Sequence, residues 1–240
     1  MAIKAIIFGA IGTLTETSEL QRQAFNDAFV EHGLGWNWDA ARYAVMVAGE
    51  AASVGGAARI AHYAASHHVA FSRAQIAAIH DSKSRLFQTA MDRDGLALNG
   101  GVGALLDEAR RRSMKTIFAS TTSQSNIDTM LLAARPSLAG RFDLVLSGEA
   151  VALPKPAPDV YLVALQRLGL DAREVVAIED SEPSLHAALA AGIATFAVPG
   201  AMWRNAAFEG ASAVYPSLDG IGIDDLAKVI GQEVVAPDLV

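Results

Sequence analysis

The sequence predicts an α/β fold: a parallel sheet with helices packed on it, and a helical domain inserted after the first strand. Five short apolar runs carry the sheet prediction, at residues 3–8, 115–119, 142–146, 174–178 and 194–198. Uniformly apolar runs of this length are typical of strands buried on both faces, and such strands belong to parallel sheets. Helical patterns separate the runs after residue 98, which indicates a doubly wound arrangement. Between residues 20 and 96 no strand pattern appears.

The elements of the sheet domain follow in chain order. The first strand, residues 3–8, is ended by Gly9 and Gly12. Residues 156–168 place apolar side chains at helical spacing, so a helix is expected between the third and fourth strands. The alanine-rich residues 184–191 predict another helix, which Gly192 ends.

The inserted segment reads as helical throughout. Leu20, Ala24, Phe25, Ala28 and Phe29 form one helical stripe, and helix-like segments follow over residues 40–66 and 72–91. We therefore expect a sheet domain made of residues 1–16 and 97–231, with residues 17–96 as the helical domain. Residues 232–240 carry no helical pattern, so a loose tail is expected there.

The composition is that of a folded, acidic chain. With 240 residues, 52% hydrophobic and 19% charged, it can bury a large core, and disorder is excluded as its main state. A net charge of −7 argues against nucleic acid or an anionic membrane as the main partner. The sequence has no run of about 18 apolar residues and no signal-peptide pattern. The lack of cysteine excludes disulfides and thiol catalysis, and a cytoplasmic location is expected.

Polar side chains follow the strands where ligands bind in an open α/β sheet, beyond the carboxyl ends of the strands. The residues at those ends are Gly9 to Thr13, Ser120, Thr121, Thr122, Lys155, Glu179 and Asp180. Hydroxyls, a lysine and an acid pair that converge on one crevice suit a phosphate group and a divalent metal ion.

The order of these motifs resembles the haloacid dehalogenase (HAD) superfamily, and within it the CbbY-like and β-phosphoglucomutase-like phosphatases. The resemblance spans nearly the whole chain, through the stretches IIFGAIGTLTETSELQRQAF, FASTTSQSNID, LPKPAPDVYLVAL and VVAIEDSEPSLHAALAAGI. It implies a Rossmann-like HAD core with a helical cap domain. In the cap, Trp36-Asn37-Trp38-Asp39, Tyr43 and Gly55-Gly56 to Arg59 are similar to the CbbY branch.

The resemblance also implies roles for individual residues. The first family motif is Asp-x-Asp-Gly-Thr, whose aspartates are the nucleophile and the general acid and base. Here Gly9 and Ile11 stand at those two positions. Ser120 and Lys155 match the phosphate-binding hydroxyl and lysine, and Glu179 and Asp180 match the acids that bind Mg²⁺, the family's cofactor. Glu16, Tyr43, Arg59 and Thr121 match the substrate side, for a small phosphorylated metabolite.

The two lost aspartates predict an impaired or inactive enzyme. Glycine has no atom that can attack phosphorus, and isoleucine cannot transfer a proton. Removing the nucleophile of a serine hydrolase costs on the order of 10⁶ in rate. At an effective dielectric near 20, a carboxylate about 4 Å away contributes roughly 4 kcal/mol of attraction per unit charge. Without the carboxylate at position 9, we expect Mg²⁺ to bind weakly.

Several alternatives stay open at this point. Lys155 forms either an anion site or a structural ion pair with Glu179 and Asp180, and residues 120–123 are either ligand groups or a helix N-cap cluster. Trp36, Trp38 and Tyr43 either line a sugar pocket or pack in the core. Glu16 is the best spare carboxylate for an active phosphatase or mutase with a non-standard site. The competing class is a pseudoenzyme that binds a metabolite or a protein, and the oligomeric state is left open.

Overall fold

The structure is a computed structural model, which describes residues 2–9, 11–48, 55–135, 137–231 and 233–234. The chain divides into two compact units: a core unit of Met1–Glu16 and Leu96–Val240, and a helical unit of Thr17–Gly95. In chain order the elements are β1 (Ala2–Ile3), β2 (Ala5–Gly9), α1 (Ile11–Leu14), α2 (Ser18–Glu31), α3 (Ala40–Ala48), α4 (Gly55–Ser66), α5 (Arg73–Asp94), α6 (Val102–Arg111), β3 (Lys115–Ala119), α7 (Gln124–Ala133), β4 (Leu144–Leu146), α8 (Asp159–Leu168), β5 (Val175–Glu179), α9 (Glu182–Ala190), β6 (Ala194–Ala197), β7 (Ala213–Val214), α10 (Ile223–Val229) and β8 (Glu233–Val234).

The core unit is built on a six-stranded parallel sheet, as the apolar runs predict. The strand order is β4-β3-β2-β5-β6-β7, and every neighbouring pair is parallel. All residues of β2 and β5 are buried, and Phe8 of β2 lies in register with Phe118 of β3 and Ile178 of β5. The chain builds the sheet outward from β2 in one direction and then continues from β5 in the other. The order therefore reverses between β2 and β5, where doubly wound sheets bind ligands.

The structure differs from three of the predictions about secondary structure. Residues 142–146 form a strand only over Leu144–Leu146. At Asp143 the carboxylate accepts the Thr116 backbone N–H at 2.9 Å, and the Asp143 backbone N–H donates to the Thr116 carbonyl at 2.8 Å. The tail is not loose at Glu233 and Val234, which pair in parallel with Ala2 and Ile3. The rest of the predicted tail lies outside the described residues. The first apolar run is also divided, because Lys4 separates β1 from β2.

The helical unit contains α2 to α5, as predicted for an all-helical insert. Its core is aromatic: Phe25, Phe29 and Trp38 are fully buried, with the ring centroid of Trp38 4.8 Å from that of Phe25 and 4.7 Å from that of Phe29. The Trp38 ring also stacks on Tyr43, 6.2 Å away. Trp38 and Tyr43 are therefore packed in the core of the helical unit, which is one of the two roles considered for these aromatic residues. No helix in the described ranges has the length and apolar character needed to span a membrane.

Candidate functional site

The carboxyl ends of β2 and β5 bring the predicted motif residues together. Gly9 is the last residue of β2, and Glu179 is the last residue of the neighbouring β5, followed by Asp180. Glu179 is fully buried and Asp180 is 8% exposed. The motif residues at the point where the strand order reverses are therefore two buried acids and a glycine.

A closed network of polar groups surrounds Glu179. The Lys155 Nζ lies 3.5 Å from Glu179 Oε1 and donates to the Ala119 backbone carbonyl at 3.2 Å. The Tyr161 hydroxyl also donates to Glu179 Oε1, and the Lys155 Nζ lies 4.9 Å from the centroid of the Tyr161 ring. All of these side chains are buried. The ion pair between Lys155 and Glu179, predicted as one of two roles for this lysine, is present.

Tyr161 is a member of this network that the sequence analysis missed. It lies in α8, where Val160, Tyr161 and Ala164 are all buried, and the sequence pattern therefore counts it among the apolar positions of this helix. A tyrosine in a fully buried stripe needs a partner for its hydroxyl, and that requirement is the signal that points to a nearby acid.

The Glu179 carboxylate occupies the space beside Gly9. A Cβ atom built on Gly9 would overlap Oε1, Oε2 and Cδ of Glu179 alike. The neighbouring acid behaves in the same way, because a Cβ on Gly12 would overlap Oδ2 of Asp180. The carboxylates of Glu179 and Asp180 thus occupy the space beside Gly9 and Gly12, where a larger residue would place its side chain.

Burial dominates the electrostatics of the acids. It raises the pKa of Glu179 above its usual range, against the lowering effects of Lys155 and Tyr161. It raises the pKa of Asp180 to about 7, with a further contribution from the neighbouring Glu179 charge. Burial, again with the Glu179 charge, raises the pKa of the Tyr161 phenol well above its ordinary value. Tyr161 is therefore a hydrogen-bond donor at neutral pH.

The residues at this site do not fit a Mg²⁺ ion. Glu179 Oε2 and Asp180 Oδ1 are buried without a hydrogen-bond partner, so two carboxylate oxygens could face a cation. The remaining Glu179 oxygen is held by Tyr161 and Lys155, and Gly9 supplies no side-chain oxygen. Mg²⁺ requires six oxygen ligands in near-ideal geometry. Within the described ranges, no group of three or more His, Cys, Asp or Glu residues could hold a metal ion.

The hydroxyl cluster after β3 divides into two roles. Ser123 is the N-cap of α7, where its Oγ accepts the Asn126 backbone N–H at 3.4 Å. Ser120 is buried at the end of β3, and its Oγ accepts the Thr122 backbone N–H at 3.2 Å. Thr121, between them, is half-buried. The cap interpretation therefore applies to Ser123, whereas the role of Ser120 as a ligand group stays a prediction.

Glu16 is anchored to the loop after β6. Its Oε2 accepts the Ala201 backbone N–H at 2.7 Å. Its negative charge also contributes to the raised pKa of Asp180. Glu16 thus adds a third carboxylate to this end of the sheet, exposed where the other two are buried.

The helical unit holds a second set of charged groups. The Arg59 Cζ lies 5.7 Å from the centroid of the Tyr43 ring, its Nε has no hydrogen-bond partner, and burial lowers its pKa. Lys83, which the sequence analysis missed, is 6% exposed and donates from Nζ to Gln21 Oε1 at 3.2 Å. Burial lowers its pKa to about 7, and the positive charge of Arg59 adds to this effect. Among the described residues, no carboxylate lies within 4 Å of either cation.

Lys83 should make the stability of the protein depend on pH. Its pKa of about 7 in the folded state lies below the ordinary value of about 10.4, so the unfolded chain binds more protons between these pH values. Stability should therefore rise with pH above about 7, by up to about 1.4 kcal/mol per pH unit. In Lys83→Met this rise should be lost and the midpoint of urea unfolding at pH 7 should increase, because no buried ammonium remains to be desolvated.

The control for this experiment is Lys228→Met, at an exposed position on α10. Its urea unfolding should keep the pH dependence of the wild-type protein. An unchanged slope in Lys83→Met would show that the ammonium carries no desolvation penalty. His80 and Arg59 are the other titratable groups whose charges act near Lys83, and burial lowers the pKa of both. Unfolding should therefore be followed above about pH 7, where the histidine is neutral.

Comparison with known proteins gives consistent matches over most of the chain. Residues 3–192 match the family model of haloacid dehalogenase-like hydrolases. Identity is 38% to the plasmid-encoded protein CbbY of Cupriavidus necator, over 90% of this chain and 86% of that protein. It is 36% to protein CbbY of Rhodobacter capsulatus, over 91% of this chain and 95% of that protein.

Solved structures give the same result. The crystal structure of CbbY from Rhodobacter sphaeroides in complex with phosphate has a TM-score of 0.82 and 35% identity, and the match covers 93% of this chain and 99% of that one. A mutant of the same protein in complex with xylulose-1,5-bisphosphate gives the same values.

Proposed function

Because this chain belongs to the haloacid dehalogenase-like hydrolase family, as a relative of the CbbY proteins, we propose that it binds a small phosphorylated metabolite without hydrolysing it through an aspartyl phosphate. One observation carries the proposal: the chain has no nucleophile at the end of β2, and the Glu179 carboxylate fills the space beside Gly9.

The chemistry of the two replaced positions supports a loss of catalysis. An aspartyl phosphate needs a carboxylate oxygen that attacks phosphorus, and Gly9 has no side chain to supply it. Protonation of the leaving group needs a titratable side chain, whereas Ile11 is a buried apolar residue, 8% exposed. Two of the remaining acids are held by other groups: Glu179 by Lys155 and Tyr161, and Glu16 by a backbone N–H.

The class of ligand is supported by charge. Arg59 and Lys83 are buried cations in the helical unit that have no carboxylate partner among the described residues. Buried charges are costly unless they are paired, so an anionic ligand would relieve that cost. The CbbY structures contain phosphate and xylulose-1,5-bisphosphate. For this chain we accordingly propose a phosphorylated sugar as the ligand.

The test combines an activity assay with a binding assay. The purified protein should release no p-nitrophenol from p-nitrophenyl phosphate above background, with millimolar Mg²⁺ or with EDTA. Calorimetry with xylulose-1,5-bisphosphate should show binding that weakens in Lys83→Met and persists in Lys228→Met. Turnover of about one per second, an ordinary enzyme rate, that EDTA abolishes would overturn the loss of catalysis. Heat of binding that is identical in both variants would overturn the ligand class.

A further inference from the structure

The Glu179 side chain takes up a position that is open only because residue 9 is glycine. Gly9 and Glu179 end neighbouring strands, so their side chains would meet at the edge of the sheet. Any Cβ at position 9 would overlap three atoms of the Glu179 carboxyl group. Real Cβ atoms do not approach other atoms so closely. The Glu179 carboxylate therefore fills space that is available only because residue 9 has no side chain.

In this position Glu179 supplies the negative charge that a phosphate would otherwise bring to Lys155. The lysine ammonium has three N–H donors, and the Ala119 carbonyl and Glu179 Oε1 lie within reach of two of them, at 3.2 and 3.5 Å. Lys155 is 6% exposed and Glu179 is fully buried, so their attraction is poorly screened by solvent. The Tyr161 hydroxyl holds the same carboxylate oxygen and fixes its position.

The neighbouring acid makes the site still less suitable for an anion. Asp180 Oδ2 lies over Gly12, and among the described residues Asp180 has no ion pair. A phosphate that entered between Gly9 and Gly12 would meet two carboxylates and one lysine that is already paired.

We propose that Glu179 is an internal anion that takes the place of phosphate beside Lys155, so that the site at the carboxyl ends of β2 and β5 is closed to inorganic phosphate while Glu179 lies beside Gly9. This inference shares one premise with the proposed function, namely that residue 9 is glycine where the family motif has aspartate. The metabolite binding proposed above depends on cations of the helical unit, whereas this inference concerns Lys155 in the core unit.

The experiment is a calorimetric titration of Glu179→Gln with inorganic phosphate, without divalent metal. It is done at about pH 8, where phosphate is mainly a dianion. The substitution keeps the shape of the side chain and removes its charge. Wild type should bind inorganic phosphate more weakly than about 10 mM. Glu179→Gln should bind at least about tenfold more tightly, because a full negative charge beside the anion is gone. The matched control is Glu174→Gln, in the turn before the same strand, which should behave as wild type.

A second variant keeps the inference testable if Glu179→Gln does not fold. Gly9→Ala adds only a methyl group, which should displace the Glu179 carboxylate and likewise raise phosphate affinity. A crystal structure of Gly9→Ala with the carboxylate unmoved would overturn the inference, as would wild-type phosphate affinity equal to that of Glu179→Gln. The absence of phosphatase activity has no bearing on either result, so the two proposals fail independently.

Discussion

The Gly9→Asp/Ile11→Asp double variant should hydrolyse p-nitrophenyl phosphate in the presence of Mg²⁺, where the wild-type protein does not. The variant restores a nucleophilic carboxylate and a proton-transferring carboxyl group at the two positions that the family motif assigns to them. Ser120 and Asp180 still follow the ends of β3 and β5, and the Lys155 Nζ still reaches the Ala119 carbonyl at the end of β3. Removing a nucleophile or a general acid costs between about 10² and 10⁶ in rate, so we expect a gain of at least about 10³.

The main obstacle to this gain is Glu179. An aspartate at position 9 would overlap the carboxylate that lies there, so Glu179 must rotate away and leave the Tyr161 hydroxyl. The backbone conformation allows a side chain at position 9, because Gly9 is not among the described glycines with positive φ. Ile11 is buried, so its replacement costs apolar burial unless the new carboxylate faces the crevice.

Single variants serve as controls for the restoration. Ile11→Asp should be inactive, because it has no nucleophile. Gly9→Asp should at most trap an aspartyl phosphate, visible as a single added phosphate by mass spectrometry, because the proton-transferring group is missing. If the double variant folds but neither binds Mg²⁺ in a calorimetric titration nor turns over substrate, the site has been remodelled beyond these two positions.

The Gly101→Ala variant should lose several kcal/mol of stability, the largest effect we expect from a single methyl group in this protein. Gly101 is the N-cap of α6, with φ 79° and ψ −19°, in the left-handed region that side chains disfavour. A Cβ there would overlap the Leu218 carbonyl group and lie 2.6 Å from the Asp219 amide nitrogen. Both obstacles are backbone, which cannot rotate away as a side chain can, and such clashes belong to the exceptional class of costs above about 4 kcal/mol.

Gly169→Ala is the matched control for this prediction. Gly169 ends α8 with φ 65° and ψ 34°, but a Cβ there meets no atom within 4 Å. Its cost should be that of the left-handed conformation alone, about 1–2 kcal/mol. Urea unfolding of both variants separates the cost of the left-handed conformation from the cost of the clash with the backbone of Leu218 and Asp219. Equal midpoints would show that the chain around Leu218 shifts to accept the methyl group.

The positions of the central strands could be predicted from the sequence because burial on both faces requires an uninterrupted apolar run. The runs at residues 115–119 and 194–198 became β3 and β6 with at most one residue of difference at either end. Short edge pairings carry no such requirement. Glu233 and Val234 pair with Ala2 and Ile3 over only two residues, which is too short a stretch for an apolar or alternating pattern to predict the pairing.

The chemistry divides in the same way. By itself the sequence determined that positions 9 and 11 carry no nucleophile and no proton donor, because those properties belong to the residue type. Only the tertiary structure decided where Glu179 points, which partner Tyr161 finds, and that Lys83 is buried beside Phe25 and Phe87. The physical reason is that a side chain's direction, partners and pKa depend on the space and charges that distant segments leave around it. No local pattern in the chain encodes that space: the glycine at position 9 opened it, and Glu179, 170 positions along the chain, fills it.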